Sequence, residues 1–317
     1  MVLTLPMAGL IKKNFPACRI FFLGRTYTKD VVALSGHVDG FINYDELEKM
    51  PAAEAAARLA SFKADAIVHV FPKKEIASLA KKAGIGLRVG TTNRWYHWLY
   101  CNKLLSLSRK NSDLHEAQLN MKLLEFLGIN TGIALQEVPA YYGFSTRDLS
   151  LDPSIAKLLD KDKFKLILHP RSKGSAREWG LGNFEKLLEL LPADRYQVFI
   201  SGTAEDGKTM EAFLQNKKAI DLTGKLSLQQ FIAFINACDG LLAASTGPLH
   251  IAAALGKRAI GLFAPMRPIH PGRWAPLGER ASFLVKDEQC EACRKGQACS
   301  CISEITPQRV MEELNRT

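Results

Sequence analysis

Ala244-Ser245-Thr246-Gly247-Pro248-Leu249-His250-Ile251-Ala252-Ala253-Ala254-Leu255-Gly256 carries a complete passage from strand through turn to helix. An apolar run over 240–244 enters it as a buried strand, small residues make a turn, and an apolar helix starts at Pro248. Proline suits a first helical position because the N–H it lacks would have no intrahelical partner there. A strand running straight into a helix is the repeating unit of a parallel sheet covered by helices. Ser245 and Thr246 stand where a helix cap belongs, and the free N–H groups of the first turn form an anion site. Gly247 would let the backbone come close to a pyrophosphate. Taken alone, the same residues also describe an ordinary capped helix with a buried His250.

The alternation extends in both directions. After that helix, strands are expected at 259–263 and 282–285, and a last helix at 307–315. Before it, strands are expected at 164–169, 197–201 and 219–222, separated by helices at 183–191, 206–215 and 228–238. In the first half, strands are expected at 18–24, 38–44, 64–71 and 87–90, with helices at 44–62 and 73–83. Residues 93–127 read as mostly helical, with Trp95, Trp98, Tyr100, Leu104 and Leu107 at apolar positions and a second helix over 113–127. Periodicity lapses between Tyr141 and Pro153, where Gly143, Ser145 and Asp148 gather. The expected architecture is α/β: two doubly wound domains, 1–150 and 151–317.

Ligands of such sheets bind beyond the carboxyl ends of the strands, and two further loops there carry suitable chemistry. Arg171-Ser172-Lys173-Gly174-Ser175-Ala176-Arg177-Glu178-Trp179 sets three basic residues and two hydroxyls just past a buried strand. That composition suits a diphosphate, and equally a solvated basic loop. Ser201-Gly202-Thr203-Ala204-Glu205-Asp206 places a carboxylate where ribose hydroxyls are held in dinucleotide folds. For Asp206 the favoured reading is a charge in the first turn of the next helix.

The order His169-Pro170-x-Ser172, basic loop, Trp179, then Ser201-Gly202-x-x-Glu205, then Thr223-Gly224-Lys225-Leu226-Ser227-Leu228, then Ser245-Thr246-Gly247-Pro248-Leu249-His250 resembles glycosyltransferase family 9, which contains the lipopolysaccharide heptosyltransferases. The resemblance is specific over 164–270 and weaker across the first half. It implies the GT-B arrangement, two Rossmann-like domains facing a cleft. The implied reaction is inverting, metal-independent transfer of a sugar, heptose from ADP-heptose foremost, to a lipopolysaccharide inner-core or related glycolipid acceptor, with no cofactor required. By position, Ser172 and Lys173 fall at the diphosphate, Arg177 replaces a lysine that neutralises it, and Glu205 falls at the adenosine ribose. Ser245, Thr246, Gly247 and His250 form the donor turn, and Thr223 to Leu228 lie near the base. Ser245 stands where many family members have aspartate. Arg94, Lys103, Arg109 and Lys110 are the candidate acceptor contacts, a solvated helical face being the competing account.

The N-terminus departs from the family pattern. The resemblance calls for a buried first strand and a Gly-Asp pair, the aspartate acting as general base, but this sequence opens at the helix that follows them. The N-terminal domain is therefore expected to lack its first strand, through either a start codon placed too far downstream or a genuine truncation. The truncated case gives the alternative function, a catalytically defective nucleotide-sugar binding protein. Asp30, Asp39 and Asp45 remain in this half, with nothing in the sequence to position any of them as a substitute.

Seven cysteines are present. Cys18, Cys101 and Cys238 read as reduced core residues. Cys290, Cys293, Cys299 and Cys301 read as reduced structural thiols or as a structural zinc site that leaves no open catalytic position. The net charge of +10 fits a solvated basic surface or an anionic partner such as a phosphorylated glycolipid or membrane face. Nothing beyond that charge points to nucleic acid. No transmembrane or signal segment is legible, so the expected location is the cytoplasm, including the inner face of the membrane.

Overall fold

The computed structural model describes residues 1–109 and 112–316. They form two compact units, Leu3–Gly143 together with Met1, and Phe144 onward together with Val2.

The first unit begins with helix α1 (Pro6–Asn14), followed by β1 (Phe21–Gly24), α2 (Lys29–Ala33) and β2 (Gly40–Asn43). Then come α3 (Tyr44–Leu47), α4 (Ala52–Ala60), β3 (Ala66–Val68), α5 (Lys74–Lys82), β4 (Leu87–Thr91), α6 (Trp95–Tyr100), β5 (Lys103–Leu105) and α7 (Glu116–Lys122). The single helix expected over 44–62 is two, because Pro51 has no N–H to continue the first and takes the N-cap position of the second. Lys103–Leu105, expected to be helical, instead pairs in parallel with β4, Val89 opposite Lys103. Pairing decides the conformation of so short a run more than the propensity of its leucines does. Cys18, expected in the core, is exposed, and so are Trp95 and Trp98.

The sheet of this unit comes in two parts, β1-β2 and β3-β4-β5, all parallel. Among the described residues no ladder joins β1 to β3. In a doubly wound order the first strand lies between those two positions, and the helix that follows it corresponds to α1. Among the described residues no strand occupies the position between the two parts. β1 is half-buried along its whole length rather than enclosed, which leaves solvent to satisfy backbone groups that a neighbouring strand would otherwise pair. Apolar packing holds the parts to their helices: Ile42, Tyr44, Leu47, Leu59, Ala80 and Ile85 form one core cluster.

The second unit contains α8 (Pro153–Ala156), β6 (Phe164–His169), α9 (Leu181–Leu190), β7 (Tyr196–Ile200), α10 (Ala204–Lys208), α11 (Glu211–Leu214) and β8 (Ala219–Asp221). It continues with α12 (Leu228–Ala237), β9 (Gly240–Ala244), α13 (Gly247–Ala254), β10 (Arg258–Leu262), α14 (Pro271–Trp274), β11 (Ala281–Leu284), α15 (Glu291–Arg294) and α16 (Pro307–Asn315). Its six strands are parallel in the order β11-β10-β9-β6-β7-β8. β9 is buried at every residue, as an unbroken apolar strand in a two-sided parallel sheet must be. The order reverses between β6 and β9, and that is where open α/β sheets place their ligands.

Candidate functional site

The loops leaving β9, β6 and β7 follow three neighbouring strands, so the topology sets them side by side at one edge of the second unit. Contacts join them. Ser175 Oγ donates to Ser245 O at 3.2 Å, tying the basic loop to the turn before α13. His169, the last residue of β6, meets Ser201 Oγ of the β7 loop at 2.9 Å through Nδ1, and its ring stacks on Phe231. Burial pushes its pKa down to about 4, against the pull of the Asp206 and Glu178 carboxylates. A neutral imidazole thus sits where the β6 and β7 loops meet, and Lys173 is near enough to bear on the titration of both His169 and Asp206. Sequence reading passed over His169 as part of a motif; its signal was a histidine ending a buried strand.

The β9 turn is built as expected in position but not in bonding. Thr246 is the N-cap of α13, yet its side chain caps nothing, and its buried Oγ1 has no hydrogen-bond partner. The first-turn amides are therefore left without the side-chain acceptor that normally serves them. A Cβ added at Gly247 would meet nothing within 4 Å, so packing does not require the glycine there. Ser245, Thr246 and His250 are all buried.

In the basic loop, Ser172 turns inward: its N–H donates to Glu178 Oε1 at 2.7 Å and its Oγ to Ala176 O at 2.7 Å. Arg171 pairs with Glu178 at 3.0 Å. Lys173 is exposed, in a left-handed conformation with φ of 50°. Arg177 departs from expectation. Its guanidinium donates to Cys299 O at 3.0 Å and to Gln297 O at 2.6 Å, engaging the cysteine segment rather than the β9 turn.

In the β7 loop, Asp206 and Thr203 form a capping box, Thr203 N–H and Oγ1 each donating to Asp206 Oδ2 at 2.7 Å. Burial raises the Asp206 pKa, but these bonds outweigh it and leave the carboxyl below its usual range. Glu205 is exposed and paired with Lys208 at 3.4 Å. The 223–228 segment folds against this loop: Gly224 N–H reaches Gly202 O at 3.0 Å, and Ser227 caps α12.

The four clustered cysteines come together, all Sγ atoms lying within 4.8 Å of one another. Hydrogen bonds from the Cys301 thiol and N–H draw Cys299 down to about 6, whereas burial lifts Cys293 to about 11.

The candidate acceptor residues lie in the first unit and do not act alike. Arg94 and Lys103 are exposed. Arg109 is engaged inside a network, Nε to Glu116 at 2.9 Å and Nη2 to Asn120 at 2.8 Å, with Asn120 in turn donating to Leu3 O. Lys110 lies outside the described residues. Asp39 accepts from Lys12 and from Ile20 N–H, which lower its pKa. Asp45, bound by Arg25 and Thr26, is lowered further. Neither is poised to take a proton.

A family model described as glycosyltransferase family 9 (heptosyltransferase) matches residues 55–301. A Haemophilus influenzae protein named "Putative glycosyltransferase" is 26% identical over 285 residues, 86% of this chain and 82% of that protein. Lipopolysaccharide heptosyltransferase 2 of Escherichia coli K12 is 31% identical over 152 residues, so that match spans only 45% of this chain and 43% of the relative. The structure of the Escherichia coli ADP-heptose lipopolysaccharide heptosyltransferase II superposes with a TM-score of 0.74 at 19% identity, covering 99% of this chain and 94% of that one. The superposition shows a shared α/β fold, the GT-B type with its Rossmann-like units.

Proposed function

As a member of glycosyltransferase family 9, the chain is a glycosyltransferase, and we propose that it transfers heptose from ADP-heptose to a lipopolysaccharide inner-core or related anionic glycolipid acceptor. The observation that carries the donor assignment is the side-by-side placement of the β6, β7 and β9 loops around an uncapped helix start holding a buried, unpartnered Thr246 hydroxyl. Backbone amides at such a helix start, with Lys173 alongside, would take the negative charge that grows on the departing diphosphate. Preorganised charge of that kind supplies leaving-group stabilisation. Attack by the acceptor oxygen opposite the leaving diphosphate would invert the anomeric centre. The donor named for the Escherichia coli structure supports the choice of ADP-heptose.

The acceptor assignment rests on the exposure of Phe71, Trp95, Trp98 and Leu99 and of Arg94 and Lys103 in the first unit, with Lys74 over the Trp95 ring at 5.2 Å. Aromatic rings interleaved with cations suit the headgroup region of an anionic membrane. No helix among the described residues is long and apolar enough to cross a membrane. On the strength of the exposed aromatic and basic residues, we propose that the reaction takes place at the cytoplasmic membrane face.

Calorimetric titration with ADP tests the donor site. Thr246→Val and Gly247→Ala should each weaken binding about tenfold, the cost of one lost or obstructed hydrogen bond to a charged ligand, while leaving thermal stability unchanged. Wild-type affinity in both variants would remove the assignment. The divided sheet of the first unit favours a second reading, a donor-binding protein without turnover: among the described residues no strand stands where the family resemblance places the general base. ADP binding without consumption of ADP-heptose would select that reading.

A further inference from the structure

We propose that Cys290, Cys293, Cys299 and Cys301 hold one tetrahedral divalent metal ion, zinc or iron, through four thiolates. The argument begins with the backbone. Between β11 and α16 the chain runs from 285 to 306 with a single regular element, the four-residue α15. A connection of that length with one short helix is commonly functional or stapled. Cys290 is the N-cap of α15 and Cys293 lies inside it. Gly296, with φ of 69°, then reverses the chain, and Gln297 N–H closes back on Ala292 O at 2.8 Å. The return brings Cys299 and Cys301 onto the first pair.

The sulfurs then meet around one point. Cys290 and Cys299 are 3.4 Å apart, Cys299 and Cys301 3.0 Å, and every Sγ lies within 4.8 Å of the other three. Metal–sulfur bonds of about 2.3 Å set tetrahedral sulfurs about 3.8 Å from one another, inside that range. Cys301 N–H donates to Cys299 Sγ at 3.3 Å, the outer-shell bond that orients and stabilises a metal-bound thiolate. Cys293 and Cys301 are buried in the core cluster that also holds Ile302, Ile305 and Val310. Thiols serving only as small apolar side chains, like Cys238, would not need to converge.

Four thiolates around a divalent ion carry a net charge of −2, and Arg177 stands against them, its Nη1 4.0 Å from Cys293 Sγ. The same guanidinium holds Gln297 O and Cys299 O, Trp179 Nε1 holds Ile305 O at 2.7 Å, and Asn183 holds Ser303 O at 2.7 Å. The β6 loop and the start of α9 are thus fastened to the cysteine segment at several points. A metal there would set the geometry of the basic loop, a consequence that rests on the donor assignment above; the metal site itself does not. With four protein sulfurs the coordination is complete, so the ion is structural.

The test is the metal content of the untagged full chain, purified under reducing conditions without added metal and measured by inductively coupled plasma mass spectrometry. About one zinc or iron per chain is expected, falling at least about fivefold in Cys290→Ser and Cys299→Ser but not in Cys18→Ser. Should the serine variants fail to fold, displacement of the metal from the wild type by a mercurial, read with a colorimetric chelator, supplies the same answer. The proposal is overturned by a wild-type chain that holds no metal even after refolding with zinc or cobalt. It is equally overturned by metal content that the Cys290 and Cys299 substitutions leave unchanged, or by intact masses showing these cysteines in disulfides. Chelation that strips the metal should weaken ADP binding. Stripping without that effect ends the coupling and leaves the metal site standing, whereas failure of the metal-loaded protein to bind ADP counts against the donor assignment alone.

Discussion

Burial at His169 has a consequence that can be measured. Its pKa of about 4 in the folded chain lies below the unfolded value of about 6.5, and His69, buried beside His97, is lowered to about 4 as well. Between those limits the unfolded chain binds more protons than the folded one, so stability rises with pH. The contribution is complete above about pH 6.5 and is lost as pH falls towards 4. Urea unfolding followed from pH 7 to 4.5 should show a slope of up to about 1.4 kcal/mol per pH unit for each histidine. His169→Gln should remove one share of it; an unaltered slope would mean that the imidazole is not held neutral. Sequence alone could not supply this, because the ring that His169 stacks against, Phe231, lies far along the chain. The Thr246–Gly247 turn was legible for the opposite reason: strand, turn and helix are consecutive there, so position follows from local order. That Thr246 caps nothing was not legible, since capping depends on a side-chain rotamer.

Elements were read well where length and burial reinforce local pattern, as in β6, β9 and α13, and poorly where a partner decides. β5 is a strand only because β4 offers it an edge, and Arg177 points to the cysteine segment because that segment folds back on the β6 loop. Its position in a motif could not reveal a contact made with residues near 299. Close approach of elements also explains a glycine. α1 buries Pro6, Met7, Ala8 and Leu10, and a Cβ on Gly9 would lie 2.2 Å from Tyr141 O. Because that neighbour is backbone, the helix itself must shift. Gly9→Ala should cost about 1–3 kcal/mol of stability in chemical denaturation, despite alanine's better helix propensity. A neutral or stabilising result would show that α1 does not seat so closely.

Across the whole molecule, the two units differ in how completely their sheets are closed. The second has six continuous parallel strands; the first has fragments of two and three. Amides of β1 and β3 should therefore exchange with solvent at least about a hundredfold faster than those of β6 and β9 in native-state hydrogen exchange, since local opening there breaks fewer long-range contacts. Comparable protection in both sets would mean that the gap between β1 and β3 is closed in solution. The strand order of the second unit bears also on how the protein comes into being. During synthesis β6 emerges with β7 soon available along one side, but its other side must wait for β9, since Leu166 pairs with Gly240. Pairings of such wide sequence separation are slow to form, and chains fold from the amino end as they are made. The turn at Ser245–Gly247 is thus completed late in biogenesis, and a nascent chain halted before residue 240 would hold half a sheet and lack the proposed donor turn.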